Sequence, residues 1–597
     1  MAVYSHGTIA ARDLAGAGAA SAHAASVSRL LWRWGGEKVL WLVLAIGVIL
    51  LAIVPLIYTI DAAFYRETRT GLAPDRSLTA VINVYFGAEY LGYLASALLL
   101  ATIVTAASLV VGVAMALLMA RTDLPAKNTL EMLIIMPLYL SPFTGLIAWI
   151  TLGSEKTGFV NVAIRAVLGR VGLDPGPLIN IWNYSGVAWV MFLFFCPFAY
   201  LFTVGNLRAM DSSLEEAART SGATALQAIT RVTIPMCTPA ILASGILIFV
   251  LAAEMYTIPG IIGSTVGFTT LPWRIYQDAT VFPVHAAHAA AGGTMLLWVT
   301  IFGVWLQRRI TRRAERYVTV TGKGFRGRPL SLGYWMPLAL VFIGLYILCA
   351  DVLPFGALLL SSFMKYSAPM ITADIFTTNH YVQIFTFQNI RDAIWNTIYL
   401  AVLAGAICVL VGLVISFMEV RRASLGTRLI AFLGVLPVAV PGLVYGLGLI
   451  WAYIQTPLYG TVWVLLLAYV AKFLPYGILV SRSAIIQVHP DLEEGARMSG
   501  ASGLTTLRAI TMPLLKPTLI AILFFVMLMS IKELSASLLL YTQDSQVLSV
   551  LTWHFMDAGN YQFAAAIGMI QTLMMVALVL VTRWIFRVRL ENALAKS

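Results

Sequence analysis

Few residues in this chain are of types that can do chemistry, and their spacing narrows what that chemistry can be. His285 and His288 stand three apart, so both imidazoles fall on one helix face, with Asp278 upstream. Such a pair can hold a metal ion, and at a membrane boundary it can equally be interfacial; the sequence assigns no metal to it. Glu254 and Glu533 come late in long apolar runs of the two halves. Charges in such places are costly, so they either line a cation route or reach water at the end of the run. Lys532 is placed to neutralise Glu533 locally, and Asp351, just before Leu353-Pro354, fits a cap or kink. Cys196, Cys237, Cys349 and Cys408 sit in or beside apolar runs without paired spacing, which suits packing better than a disulfide or metal. Gly322-Lys323-Gly324 lacks the spacing of a phosphate-cradling loop and follows no strand, so no cofactor is expected on this chain. No His, Ser and carboxylate set converges as an embedded enzyme would need.

The elements that carry these residues are set by composition. Hydrophobic residues make up 60% of the 597 and charged ones 11%, with a mean hydropathy of +0.86. A soluble core cannot absorb that apolar surface, so the class is an all-α integral membrane protein. The alternating segments of a membrane barrel are absent from the sequence. Twelve spans are predicted, at about 39–60, 91–119, 130–152, 184–206, 236–254, 286–306, 334–361, 393–418, 429–453, 462–480, 515–540 and 563–586. Most of the 39 Lys and Arg fall on the face that carries both termini, above all Arg308, Arg309, Arg312, Arg313, Arg316, Lys323, Arg326 and Arg328. That bias predicts cytoplasmic termini, and the net charge of +12 is read as topogenic, with no nucleic-acid partner. The expected organisation is a disordered tail over 1–37, a first repeat over 38–307, a basic linker over 308–332 and a second repeat over 333–597.

An internal duplication underlies that division. Leu214–Pro235 reads LEEAARTSGATALQAITRVTIP and Leu492–Pro513 reads LEEGARMSGASGLTTLRAITMP, without a gap; from Leu214 to Leu492 is 278 residues. Pro137 in the third span and Pro437 in the ninth are 300 apart, so the first half holds extra chain, assigned to the loop 153–183. Leu271-Pro272-Trp273 echoes Leu551-Thr552-Trp553. Six spans per half in the same sense make the duplication parallel. The prolines 137, 142, 437 and 441 can free carbonyls for a solute pathway, with Tyr139 and Tyr445 beside them, or can serve packing alone.

The repeated segment resembles the EAA loop of type I ABC importer permeases. Its marks are Glu216-Ala217-Ala218, Gly222 and the Val232–Pro235 end in the first half, then Glu494-Gly495-Ala496, Gly500 and the Ile510–Pro513 end in the second. Gly495 departs from the pattern and loosens its helix by about 1 kcal/mol relative to Ala. Asp211 or Ser212, and His489-Pro490-Asp491, supply caps for a short helix, and Gly222 and Gly500 suit a left-handed end. Arg316–Phe325 is similar to the segment joining the halves in fused permeases of the ferric-iron importer group, which includes aminoethylphosphonate permeases.

The resemblance implies a permease subunit importing a small solute, first ferric iron and second 2-aminoethylphosphonate, across a bacterial inner membrane by alternating access. It also implies two copies of a separate ATPase carrying ATP and Mg2+, and a periplasmic solute-binding protein. A proton-coupled secondary transporter is the rival of another class. It would need a relay of buried acids, whereas Glu254, Asp351 and Glu533 sit near span ends or breaks.

Overall fold

The computed structural model describes residues 39, 41–69, 71–171, 176–210, 213–314, 330–368 and 372–586. The tail over 1–37, the Arg316–Phe325 stretch of the linker, and Asp211 and Ser212 lie outside the described residues.

Nine described helices are long and apolar enough to cross a bilayer, for example Trp41–Ala62, Ala88–Arg121, Tyr184–Ala209, Ala225–Glu254 and Ala286–Ile310 in the first half. Three predicted spans differ from a plain crossing. Lys127–Tyr139 and Pro142–Gly153 meet at 98°, Leu425–Ala439 and Gly442–Tyr453 at 114°, and Gly503–Leu514 and Lys516–Ile531 at 81°. In the first two the chain passes through a short 3-10 turn and one or two extended residues (Leu140 and Ser141; Val440 and Pro441). The cause is proline. Pro137 and Pro437 lack the N–H a helix would use, and Pro142 and Pro441 bar the preceding residue from helical geometry. The eleventh span, predicted to run to 540, ends at Ile531; Ser537–Leu540 is a separate turn of helix after Lys532 and Glu533.

Chain tracing makes each bent pair one crossing. Ala88–Arg121 ends beside the helix Ser213–Thr220, with Arg121 2.8 Å from Glu215. Tyr184–Ala209 also ends next to that helix, so the segment between these two spans must change sides once. Arg421, 2.8 Å from Glu493, imposes the same on the second half. The result is twelve crossings in two parallel sets of six, with Ser213–Thr220 and Pro490–Met498 on one face. On the other face are the hairpin of β1 (Tyr65–Thr68) and β2 (Gly71–Arg76) and the loop 153–183. That loop holds the helix Phe159–Leu168, tied down by buried Asn161, which donates to the Ile179 carbonyl at 2.6 Å and accepts from the amides of Leu178 and Ile179.

The halves exchange their first helices. Trp41–Ala62 packs on Gly442–Tyr453 of the second half, where a Cβ added at Gly448 would lie 2.3 Å from the Pro55 carbonyl oxygen. Tyr453 donates to Leu50 across this contact at 3.2 Å. Reciprocally, Gly333–Ser362 packs on Pro142–Gly153, and Tyr346 donates to Leu193 at 3.3 Å. Within each half, small residues let the second and fourth helices touch backbone to backbone. Gly112 meets Ala199 and Cys196, and Gly412, 300 residues on, meets Gly477.

Candidate functional site

Each repeated loop is a helix, a left-handed glycine and a second capped helix. Ser213–Thr220 ends where Gly222 takes φ +91°, the Ala223 amide reaching back to the Ala218 carbonyl at 3.0 Å. Thr224 then caps the next helix in a reciprocal box with Gln227. In the second half Gly500 takes φ +84°, Ala501 bonds Ala496 at 3.0 Å, and Ser502 accepts from the Thr505 amide at 3.2 Å. The angle between the helices is therefore fixed by backbone and caps. Ala217 is exposed and Ala218 half-buried; Glu216 is half-buried, while Glu494, Gly495, Pro235 and Pro513 face outward and Ala496 is intermediate. Large apolar side chains stand uncovered around them: Leu226 is 70% exposed, Leu492 53% and Met498 90%. Uncovered apolar groups beside a rigid protrusion are what a docked partner would bury.

What fixes these protrusions to the bundle is a pair of residues that the motif reading passed over. Glu215 is buried, 2.8 Å from Arg121, and accepts from Thr233 at 2.9 Å. Glu493 is buried, 2.8 Å from Arg421, and accepts from Thr511 at 3.1 Å. Arg421 also donates to the carbonyls of Ile485 and Val488. Each carboxylate thus joins three elements: the protruding helix, the end of the half's second span, and the π-turn that opens its fifth (Ile229–Thr233 or Leu507–Thr511). A signal was present in the sequence, since Arg121 and Arg421 share the 300-residue offset of Pro137 and Pro437.

The candidate pathway residues lie at the junction of the halves but are not gathered into one site. Glu254 closes its helix and accepts from Thr300 at 3.0 Å. Glu533 is buried, 2.6 Å from Lys472, and caps Ala536 at 3.1 Å. Lys532, expected to neutralise Glu533, instead donates to the Leu138 carbonyl in the first half at 2.9 Å. That carbonyl is one freed by the break at Pro137–Pro142. Gly442 makes room for the Lys472 arm, since a Cβ there would lie 2.7 Å from Nζ. Carried forward without a gap, the 278-residue offset sets Glu254 opposite Lys532, so the repeat places unlike charges at matching positions. Tyr139 is half-buried against Ala401, Leu528 and Ile531. Tyr445 is buried and its hydroxyl is hydrogen-bonded to the Leu51 carbonyl. Asp351 is buried inside a π-turn, Leu348–Val352.

Removing one member of a buried pair strands the other, at a cost of about 3–5 kcal/mol. Glu533→Gln is therefore expected to lower the melting temperature of the detergent-solubilised protein more than Glu533→Gln combined with Lys472→Met. Equal losses in a thermal-shift measurement would contradict the pairing.

Above these charges, aromatic rings close the junction. Trp273 and Trp553, the two repeated tryptophans, meet at 6.2 Å between centroids, and Trp553 also contacts Phe143, Tyr256 and Tyr276. Near the hairpin, His285 and His288 lie against Glu67, at 3.1 and 2.9 Å. Burial raises the Glu67 carboxyl, but the hydrogen bonds from His288 and His285 outweigh it and hold it at about 2. Asp278 joins Tyr90 at 2.7 Å and Arg274 at 3.0 Å rather than the histidines' side chains.

Twelve crossings in two parallel sets, with a helix-turn-helix protruding from the same place in each, define the permease of an ABC importer with both transmembrane halves fused. The chain belongs to the family described as binding-protein-dependent transport system inner membrane component, whose profile matches residues 108–316 and again 409–589. A ferric transport system permease protein FbpB of Actinobacillus pleuropneumoniae is 27% identical over 553 residues, covering 90% of this chain and 77% of that protein. A putative ferric transport system permease protein FbpB 1 of Haemophilus influenzae is 26% identical, covering 86% of this chain and 79% of its own. A putative 2-aminoethylphosphonate transport system permease protein PhnV of Salmonella typhimurium is 27% identical over 38% of this chain and 84% of its own. Among solved structures, a bacterial ABC transporter involved in alginate import aligns with 43% of this chain and 96% of its own, at 19% identity and a TM-score of 0.35.

Proposed function

We propose that this chain forms the membrane route of an ATP-driven importer of ferric iron, with 2-aminoethylphosphonate as the second cargo. Two copies of a separate ATPase, carrying ATP and Mg2+, seat on Ser213–Thr220 and Pro490–Met498, with Glu216, Ala217, Ala218, Gly222 and Pro235, and Glu494, Gly495, Ala496, Gly500 and Pro513, at the contacts. A periplasmic solute-binding protein meets the opposite face, which carries the hairpin and the 153–183 loop. Both termini and the basic linker 308–332 between the repeats 38–307 and 333–597 are then cytoplasmic.

One observation carries the coupling: each protruding helix is bolted by a buried carboxylate to the ends of two spans of its own half. Closure of an ATPase dimer would push both helices together, and the bolts would pass that movement to the spans. Rigid levers at a bistable junction are the ordinary means of alternating access. The Trp273–Trp553 contact closes that junction on the side away from the ATPases, as an inward-facing resting state requires.

The cargo rests on the ferric permeases that align with both halves, and on the carboxylates at the junction, oxygen ligands that suit a hard cation. Cells expressing the complete importer are expected to take up labelled iron. Import of labelled aminoethylphosphonate without iron would overturn the iron reading. Glu254→Gln with Glu533→Gln is expected to depress iron uptake, scored against Lys472→Met with Glu533→Gln so that loss of the Lys472 pair is not mistaken for loss of a ligand.

A further inference from the structure

On the face away from the protruding helices, β1 meets the first turn of the helix that begins at Ala286. Glu67 of β1 is fixed there by one oxygen, Oε1, which accepts from the His288 main-chain amide at 2.8 Å. Its other oxygen, Oε2, faces two imidazole nitrogens at once: His285 Nδ1 at 3.1 Å and His288 Nδ1 at 2.9 Å. All three donor atoms lie within 4.8 Å of one another. Metal–ligand bonds of about 2.1 Å set adjacent ligands of an octahedral ion roughly 3.0 Å apart and those of a tetrahedral ion about 3.4 Å apart. The observed separations from Oε2 fall at that spacing.

The surroundings have the other features of a metal site. The Asn83 amide nitrogen lies 3.4 Å from His288 Nε2, and turning the amide puts its oxygen there to accept Nε2–H, which fixes the Nδ1 atom for a ligand bond. The Tyr90 ring stacks on His288 and holds its plane. The His285 side chain is 44% exposed against 17% for Glu67 and His288, so an ion has a way in and solvent can fill the remaining positions.

The fold does not need these residue types. The second half is built to the same plan: the helices from Ala88 and Gln388 start 300 residues apart, and those from Ala286 and Tyr561 start 275 apart. At the matching corner, Gln562 donates to Ser367 at 2.6 Å, a neutral hydrogen bond. One neutral bond is enough to close that corner, and the first half puts a carboxylate and two imidazoles there instead.

We propose that Glu67, His285 and His288 bind one divalent first-row transition ion of borderline softness, such as Zn2+ or Co2+, on the outer face of the first repeat. Two imidazoles with one carboxylate favour such an ion over a hard trivalent one. The site is thus distinct from the proposed cargo and does not depend on it.

The test uses the full-length chain, purified without a polyhistidine tag, stripped with chelator and titrated with Zn2+ by calorimetry and with Co2+ by absorption. One equivalent is expected to bind, with a Co2+ ligand-field band. Glu67→Gln, His285→Asn and His288→Asn are each expected to weaken Zn2+ binding at least about tenfold, and Asn83→Leu to weaken it less. Matching gel-filtration profiles and melting curves of the metal-free variants would show that the fold survives. Wild-type protein that takes up no ion would overturn the proposal, as would His285→Asn with His288→Asn binding Zn2+ as the wild type does. Neither readout involves cargo uptake, so failure here leaves the iron reading standing, and the reverse holds equally.

Discussion

Glu215→Ala combined with Glu493→Ala is expected to abolish ATP-driven uptake in a protein that still inserts in the membrane. Each carboxylate is buried and holds an arginine at the end of one span and a threonine at the start of another. Its loss strands Arg121 or Arg421, at about 3–5 kcal/mol for a broken buried pair, and releases the protruding helix from both spans. The helix would remain, since its Gly222 or Gly500 turn and its caps are local, but its push would no longer be transmitted. The check is ATPase stimulation by cargo-loaded binding protein in proteoliposomes, beside a measure of inserted protein. Arg421→Met with Glu493→Leu should damage coupling less than Glu493→Ala alone, because an apolar pair of similar size leaves no charge unpaired. Wild-type stimulation in the double alanine variant would show that the carboxylates do not carry the force.

The second large effect is structural. Gly412→Leu is expected to prevent accumulation of folded protein. An added Cβ would lie 2.6 Å from the Gly477 carbonyl carbon and 2.9 Å from its oxygen, and both are backbone atoms with no rotamer to escape into. Overpacking a well-filled interior costs about 1–3 kcal/mol where side chains can shift, and more where two helices must part. Gly495→Ala is the contrast. Nothing lies within 4 Å of its added Cβ, the site is exposed, and helix propensity should gain roughly 0.5–1 kcal/mol. Fluorescence-detected size exclusion of the two variants checks both. A monodisperse, wild-type amount of Gly412→Leu protein would contradict the backbone contact.

The features carried by local pattern were legible in the sequence. Apolar run length gave the crossings, and the gap-free repeat located the two protruding loops together with the glycines that turn them at positive φ. Spacing of prolines pointed to the third and ninth spans, but a kink was expected where the chain turns through 98° and 114°. Two prolines five residues apart in one case and four in the other leave no room for a helical register between them. Features that depend on partners far apart in the chain were not legible. Lys472 reaches Glu533 across 61 residues and Glu67 reaches His285 across 218, so no motif window contains either pair. Glu215 and Glu493 were in view beside the motif residues Glu216 and Glu494. Which of two adjacent glutamates turns inward depends on helix phase against Arg121 and Arg421, and only the packed structure sets that phase.

The central claim is that one ATPase docks on each protruding helix of this chain. Cysteines placed at Ala217 and Gly495, both exposed, offer the direct measurement. Cys196, Cys237 and Cys408 are buried, which leaves Cys349 as the native thiol to remove among the four. With the ATPase co-expressed, a short bifunctional thiol-to-amine reagent should join the permease to the ATPase from either site. The doubly substituted chain should give a species carrying two ATPases. A cross-link from one site alone, or from neither while the complex still hydrolyses ATP on demand, would contradict the account.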